Sequence, residues 1–423
     1  MSFPEEPLDL TSQEGFGYYS GRPGQVLNGG QYQIVRKLGF GGRSSVWLAL
    51  DLHATEKEYV AVKIRTVNAS ELVRANNYHE LTILEAVTKF DDRSSEGPYA
   101  HVDNLSNFEL SILLAHFKEE SSHGSHLCLV QIAMGQDMET FRHSAPTKSL
   151  PLHSVKTITA YAAEGICNLH RAGIVHGAIK PSNWLFHCSV WPEHIEALVS
   201  SDPSSVEREV EVEGALYPIV RSQPLVGQVW NDNKDTVEGR YSVVIKSFSH
   251  GEDIIAPRPA VRRQSLILTL TAQWLKDGLL DAQTGLEDHL QPPEVVLGAG
   301  YDEKADIWAL GCTLSMLAKL EDGTLVRLSL QTFELLTGRP LIIPYTPQEL
   351  DPKQYYLAQM ASITRESFAP QTLQRSPVAD QFFDETGKPA CSNFIVIQRF
   401  FLRTGMVRYI LLTLTASTRP SSR

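Results

Sequence analysis

Cysteine is scarce and scattered: Cys128, Cys167, Cys188, Cys312 and Cys391 are the only five in 423 residues, with no Cys-x-x-Cys pair among them. That excludes a disulfide-stapled scaffold and leaves a zinc site without its usual ligand spacing, so a reducing compartment, cytoplasm or nucleus, is expected. Basic charge is also short, with 38 Lys and Arg against 49 Asp and Glu and a net charge of -11. Such a chain has no general attraction for nucleic-acid phosphate and is open to a basic protein partner. Long apolar runs are missing too. Phe394–Ile397 and Tyr409–Leu412 fall far below the ~20 residues that a membrane-spanning helix needs. The opening Met-Ser-Phe-Pro-Glu-Glu puts no basic stretch before an apolar one, so no signal peptide is expected. The expectation is a soluble intracellular monomer without membrane or direct nucleic-acid contact.

What is present suffices for a large core, at 42% hydrophobic and 21% charged residues. Residues 1–31, rich in Gly, Pro and acid, read as an extended lead-in that packs on a domain. From Tyr32 to Ile64 the pattern is strand, glycine turn, strand, turn, strand, and Leu72, Leu81, Leu84 and Val87 then follow at helical spacing. A further apolar strand covers 126–134. These elements make a small β-rich part over 32–135. Helical spacing takes over at Ile158, Tyr161, Ala162, Ile166 and Leu169, within a first helical part over 136–199. Residues 200–265, rich in Ser, Pro, Glu and Arg and weakly periodic, read as a surface insertion. A second helical part covers 266–423. The fold class expected is α+β, with two lobes.

The glycine-rich turn Leu38-Gly39-Phe40-Gly41-Gly42-Arg43-Ser44-Ser45-Val46 lies between two strands. Its glycines let backbone N–H groups approach phosphates closely, with Val46 placed to cover an adenine. One strand later, in Val60-Ala61-Val62-Lys63, a lysine interrupts an apolar strand and needs a partner, which Glu80 on the next helical segment can supply. Glycine loop, strand lysine and helix glutamate in this order make half of a kinase nucleotide site.

Gly17-Tyr18-Tyr19, Ser45-Val46-Trp47-Leu48-Ala49 and the run from Phe117 to Val130 resemble the SR-protein kinases, which phosphorylate serines in Arg-Ser-rich splicing factors. The resemblance implies a bilobal protein-kinase fold with a small β-rich N-lobe, a larger helical C-lobe and a spacer insertion after the catalytic loop. It also implies ATP as ligand, Gln131 as gatekeeper and Ile132–Met134 as the hinge against adenine. Leu38, Gly39, Gly41, Val46, Ala61, Lys63, Glu80, Ile132 and Met134 are then the nucleotide-contacting positions.

The catalytic loop departs from that pattern. His176-Gly177-Ala178-Ile179-Lys180-Pro181-Ser182-Asn183 is similar to the family's His-x-Asp-x-Lys-Pro-x-Asn, with Lys180 and Asn183 in place and Ala178 where the catalytic aspartate belongs. A methyl group neither orients a substrate hydroxyl nor accepts its proton. The metal-binding Asp-Phe-Gly has two candidate registers. One is Ile245-Lys246-Ser247-Phe248-Ser249-His250; the other is Leu268-Thr269-Leu270 before Thr271-Ala272-Gln273-Trp274, preferred for its distance to Glu294. Neither contains an aspartate. Asn183 alone is a poor magnesium site, so weak ATP binding with little Mg²⁺ is expected.

In the C-terminal half, Pro292-Pro293-Glu294 resembles the family's Ala-Pro-Glu, with Arg419 as the glutamate's implied partner, and Asp306 is expected to cap the catalytic-loop backbone. Residues 313–331 interrupt the helix that starts at Asp306 and are read as an extra insertion, a retained intron more readily than a packed element. The family's acidic docking groove is represented at best by Glu349 and Asp351. The leading reading is a pseudokinase acting through protein partners, possible Arg-Ser-rich splicing factors among them. The alternatives are an active serine/threonine kinase with an unusual base and metal ligand, and a mis-spliced copy with no stable product.

Overall fold

The computed structural model describes residues 5–74, 80–94, 111–145, 148, 150, 152–186, 192–212, 214–225, 243–245, 290–313, 318–319, 325–326, 342–343, 351–364, 367–384 and 386–388. The chain divides into two compact units, residues 1–141 with 184–253, and residues 142–183 with 254–423.

The first unit is built on a six-stranded antiparallel sheet. Its strands are β1 (Val26–Leu27), β2 (Tyr32–Gly41), β3 (Ser44–Asp51), β4 (Glu58–Arg65), β5 (Leu113–Ser121) and β6 (Gly124–Ile132), in the order β1-β2-β3-β4-β6-β5. Residues directly opposite one another in an antiparallel pair share a face. Val46 lies opposite Lys63 and Leu48 opposite Ala61, so these four form one face. The other face carries Trp47, Val60, Val62, Ile64, Cys128 and Val130, packed with Tyr19 and Tyr32 into the main core of the unit. Alternation along Glu58–Arg65 thus buries one set of side chains in that core and turns Lys63 to the opposite face. Helices α1 (Val67–Arg74) and α2 (Glu80–Ser94) follow β4, and α3 (Met138–Ser144) follows β6.

Strand β7 (Trp184–Phe186) leads to α5 (Pro192–Ser201) and to a hairpin of β8 (Val206–Val212) and β9 (Ala215–Val220). Of the expected surface insertion, β8 is mostly exposed, while the end of β9 and the chain after it are packed into this unit. Ile219, Val220 and Leu225 are at most 1% exposed. Leu225 packs with Ile195 of α5 against Leu48 and Ala133, with Val35, Leu38 and Tyr59 around them. The physical reason is that β9 alternates less strictly than a surface strand and offers Ile219 and Val220 in succession. Strand β10 (Val243–Ile245) returns antiparallel to β7, with Ile245 opposite Trp184.

In the second unit, α4 (Leu152–Arg171) buries Ile158, Ala162, Ile166 and Leu169 of the stripe that the three-and-four spacing predicts, together with Val155, while Tyr161 is half-buried. After it come α6 (Pro293–Val296), α7 (Lys304–Thr313), α8 (Pro352–Thr364) and α9 (Pro370–Arg375). Val175, Val295, Tyr301 and Ala305 pack into one cluster that holds the chain after α4 against α6 and α7. Helix α7 is described as far as Thr313, and within 314–331 the described residues form a short hairpin, β11 (Ala318–Lys319) with β12 (Leu325–Val326). Among the described residues no helix is long and apolar enough to cross a membrane.

Candidate nucleotide site and catalytic loop

The glycine-rich turn is the β2–β3 hairpin, with Gly39 opposite Val46, Phe40 opposite Ser45 and Gly41 opposite Ser44. A Cβ added at Gly39, Gly41 or Gly42 would meet no protein atom within 4 Å. The glycines are therefore not required by packing, and the space they leave fits close approach of a phosphate to the backbone. On the face shared with Val46 and Ala61, the Lys63 ammonium pairs with one oxygen of Glu80, whose side chain is 3% exposed. Glu80 is carried by helix α2.

Sequence reasoning missed a second cation on this glutamate. Arg65, 1% exposed, pairs with the other oxygen of Glu80. The signal was available: Arg65 is two residues after Lys63 on one strand and therefore points to the same side. Two cations thus hold the Glu80 carboxylate, one on each oxygen.

The hinge expected at Ile132–Met134 leaves the end of β6, where Ile132 lies opposite Val60. Ala133 is buried, while Ile132 and Met134 are half-buried. The chain just beyond is tied to β7: Gly135 N donates to Phe186 O at 3.0 Å and Phe186 N to Gln136 O at 3.1 Å. Asp137 bridges Leu185 in the same ladder. Gln131 at the gatekeeper position donates through Nε2 to Ser111 Oγ at 2.6 Å.

The second unit contains the catalytic-loop segment. Asp306 at the start of α7 is fully buried, and its carboxylate accepts from the backbone N–H of His176 and of Gly177, both at 2.8 Å. His170 Nε2 lies 3.0 Å from the same carboxylate. This is the capping expected of Asp306. Gly177 is left-handed (φ +69°), a conformation that a glycine adopts without strain. The loop then turns back through Ala178 N, which donates to His176 Nδ1 at 3.1 Å, and Asn183 Nδ2, which donates to Ala178 O at 2.8 Å. Ala178 is 0% exposed and Asn183 7%. The loop framework is thus assembled around a methyl group, and Lys180 is half-buried beside it.

Glu294 in α6 is largely buried, and desolvation holds its carboxyl above the usual range, against a smaller opposing effect of its own backbone N–H. Its implied partner Arg419 lies outside the described residues, as do Glu349, residues 246–289 with both metal-site registers, and most of 313–331. Among the described residues no three His, Cys, Asp or Glu side chains come together as a metal-binding group.

No family model matches the chain. Among curated proteins it is similar to the "Serine/threonine-protein kinase SRPK" of Physarum polycephalum, 27% identical over 353 residues, covering 82% of this chain and 70% of that protein. It is 25% identical to "Protein kinase dsk1" of Schizosaccharomyces pombe, over 82% of this chain and 68% of that protein. With mouse "SRSF protein kinase 3" the identity is 30%, over 43% of this chain and 29% of that protein. Among solved structures, the crystal structure of a kinase domain matches with a TM-score of 0.55 at 16% identity, covering 95% of this chain and 92% of that one. The strand order, the Lys63–Glu80 pair and the Asp306-capped loop agree with these likenesses: the chain has the protein-kinase fold and is similar in sequence to the SR-protein kinases.

Proposed function

We propose that the chain is a nucleotide-pocket pseudokinase that acts by binding protein partners. The observation that carries this reading is Ala178: the catalytic-loop backbone is held by Asp306 and Asn183, and the side chain at its centre is a buried methyl with no proton to exchange. Loss of a general base is typically worth about 10²–10⁴-fold in rate. Neither register for the metal-binding motif, Ile245–His250 or the preferred Leu268–Leu270, contains an aspartate, so that motif offers the metal no carboxylate.

ATP, when bound, supplies phosphates to the backbone of Gly39 and Gly41 and to the Lys63 ammonium. Leu38, Val46 and Ala61 offer apolar cover, and Ile132 and Met134 offer hinge backbone. Glu80 and Arg65 keep Lys63 oriented. Without a metal carboxylate, affinity is weak and nearly independent of Mg²⁺. The relatives' class suggests Arg-Ser-rich splicing factors as partners, and the net charge of -11 suits a basic one, in the cytoplasm or nucleus.

Thermal-shift titration with ATP, with and without Mg²⁺, together with labelled phosphate transfer to an Arg-Ser peptide, tests the reading. Small, Mg²⁺-independent stabilisation and no transfer are expected, and Lys63→Ala abolishes the stabilisation. Strong Mg²⁺-dependent stabilisation with phosphate transfer establishes the active kinase instead.

A further inference from the structure

A glycine-rich hairpin tip in open space has few contacts to order it and belongs to the least stable parts of a fold. Here the tip is tied from outside the sheet. Tyr18, 2% exposed, donates its hydroxyl to the carbonyl of Gly41 at 2.7 Å. Burial pushes its phenol up to about 12, so it remains a donor throughout the physiological range. The tyrosine is itself wedged between two distant segments: Leu8 from the lead-in and Ile219 from the insertion hairpin, with Phe16, Val210 and Tyr217 around them.

A second tie lies one turn of chain earlier. Lys37 has no exposed side-chain surface and pairs with both Glu5 and Glu6. Its ammonium also donates to Val220 O at 3.1 Å and sits 4.9 Å from the centre of the Phe40 ring, inside the glycine-rich turn. Glu5 accepts in addition from Ser222 N at 2.6 Å and Ser222 Oγ at 2.8 Å, and Gln223 N donates to Lys37 O at 2.9 Å. Buried ions persist where they are paired and hydrogen-bonded, and this cluster joins three stretches far apart in sequence at one point beneath the turn.

We propose that Tyr18 is a positioning residue for the glycine-rich turn: lead-in and insertion together form a latch that presets the turn for phosphate. Release of either segment loosens the turn and lowers nucleotide affinity, because only the fraction of molecules with an ordered turn is competent to bind. The affinity consequence rests on the nucleotide-pocket reading; the latch itself does not.

The test uses the full chain and measures amide hydrogen exchange over 38–46 without nucleotide, with strand 58–65 as internal reference. Tyr18→Phe removes only the hydroxyl. Faster exchange confined to 38–46 is expected, by about 3- to 10-fold for one lost hydrogen bond. Glu6→Gln, which weakens the ionic tie, gives the same pattern. Lys63→Ala leaves exchange over 38–46 unchanged while removing ATP stabilisation. Unchanged exchange in Tyr18→Phe, or acceleration spread evenly into 58–65, overturns the proposal. If the parent chain binds no ATP, the nucleotide reading fails and the exchange result still decides the latch. If ATP binds and Tyr18→Phe speeds turn exchange without weakening it, the coupling to affinity is overturned.

Discussion

Asp306→Asn is the most informative single change in the second unit. The carboxylate accepts from two backbone N–H groups at 2.8 Å each and faces His170 Nε2 at 3.0 Å, with no exposed surface. An asparagine is nearly isosteric and keeps one carbonyl oxygen, but its amide must face one of the buried N–H groups. The cost is one charge-assisted hydrogen bond, about 1.5–3 kcal/mol, plus an unsatisfied N–H at about 1–3 kcal/mol. The sum is about 2.5–6 kcal/mol. At roughly 2.1 cal/mol/K per residue, unfolding of 423 residues carries about 0.9 kcal/mol/K, so the melting temperature falls by about 3–7 °C. Differential scanning calorimetry reads the shift, and hydrogen exchange at His176 and Gly177 reads its local origin. Ile307→Ala, at a 41% exposed neighbour, serves as the control and moves the transition little. A melting temperature within 1 °C of the parent, with His176 and Gly177 still protected, refutes the claim that Asp306 holds the catalytic loop.

The remaining predictions concern charge, catalysis and the interrupted helix. His126 is buried as a neutral ring between Ser121 Oγ and Arg65 O, both at 2.7 Å, and desolvation lowers its pKa from 6.5 to about 4. The unfolded chain therefore takes the proton first, so this stability is full above pH ~6.5 and is lost as pH falls to ~4, about 3 kcal/mol in all. His126→Gln makes the acid limb of a denaturation series shallower over that window; an identical limb rejects the assignment. Ala178→Asp restores a base without a metal ligand, and no transfer to an Arg-Ser peptide is expected; clear turnover would reveal another carboxylate acting on the metal. Deleting 313–331 joins Cys312 to Thr332 as one apolar-periodic helix and raises melting temperature and soluble yield without creating activity. A less stable deletion variant identifies the hairpin of β11 and β12 as a packed element.

The sequence by itself determined the features set by short-range pattern. Alternation over Glu58–Arg65 made a strand and isolated Lys63 on the face away from the main core; the spacing from Ile158 to Leu169 made the buried stripe of α4. The resemblance to the SR-protein kinases marked Glu80, Ala178, Asn183 and Asp306, and the structure pairs Glu80 with Lys63 and packs Ala178, Asn183 and Asp306 into one hydrogen-bonded loop. Only the tertiary structure decided what depends on contacts between remote segments. Nothing local in Glu5 and Glu6 says that they meet Lys37, or that Ser222 joins them across more than half the chain. Residues 206–225 read as a solvated insertion because their composition is polar, yet Ile219, Val220 and Leu225 are buried once a partner surface exists for them. Arg65 stands between these cases: its side of the strand was legible, but its claim on Glu80 required knowing where α2 packs against the sheet. Burial of charge is a property of the assembled neighbourhood, because an ion enters the interior only when its partners arrive with it.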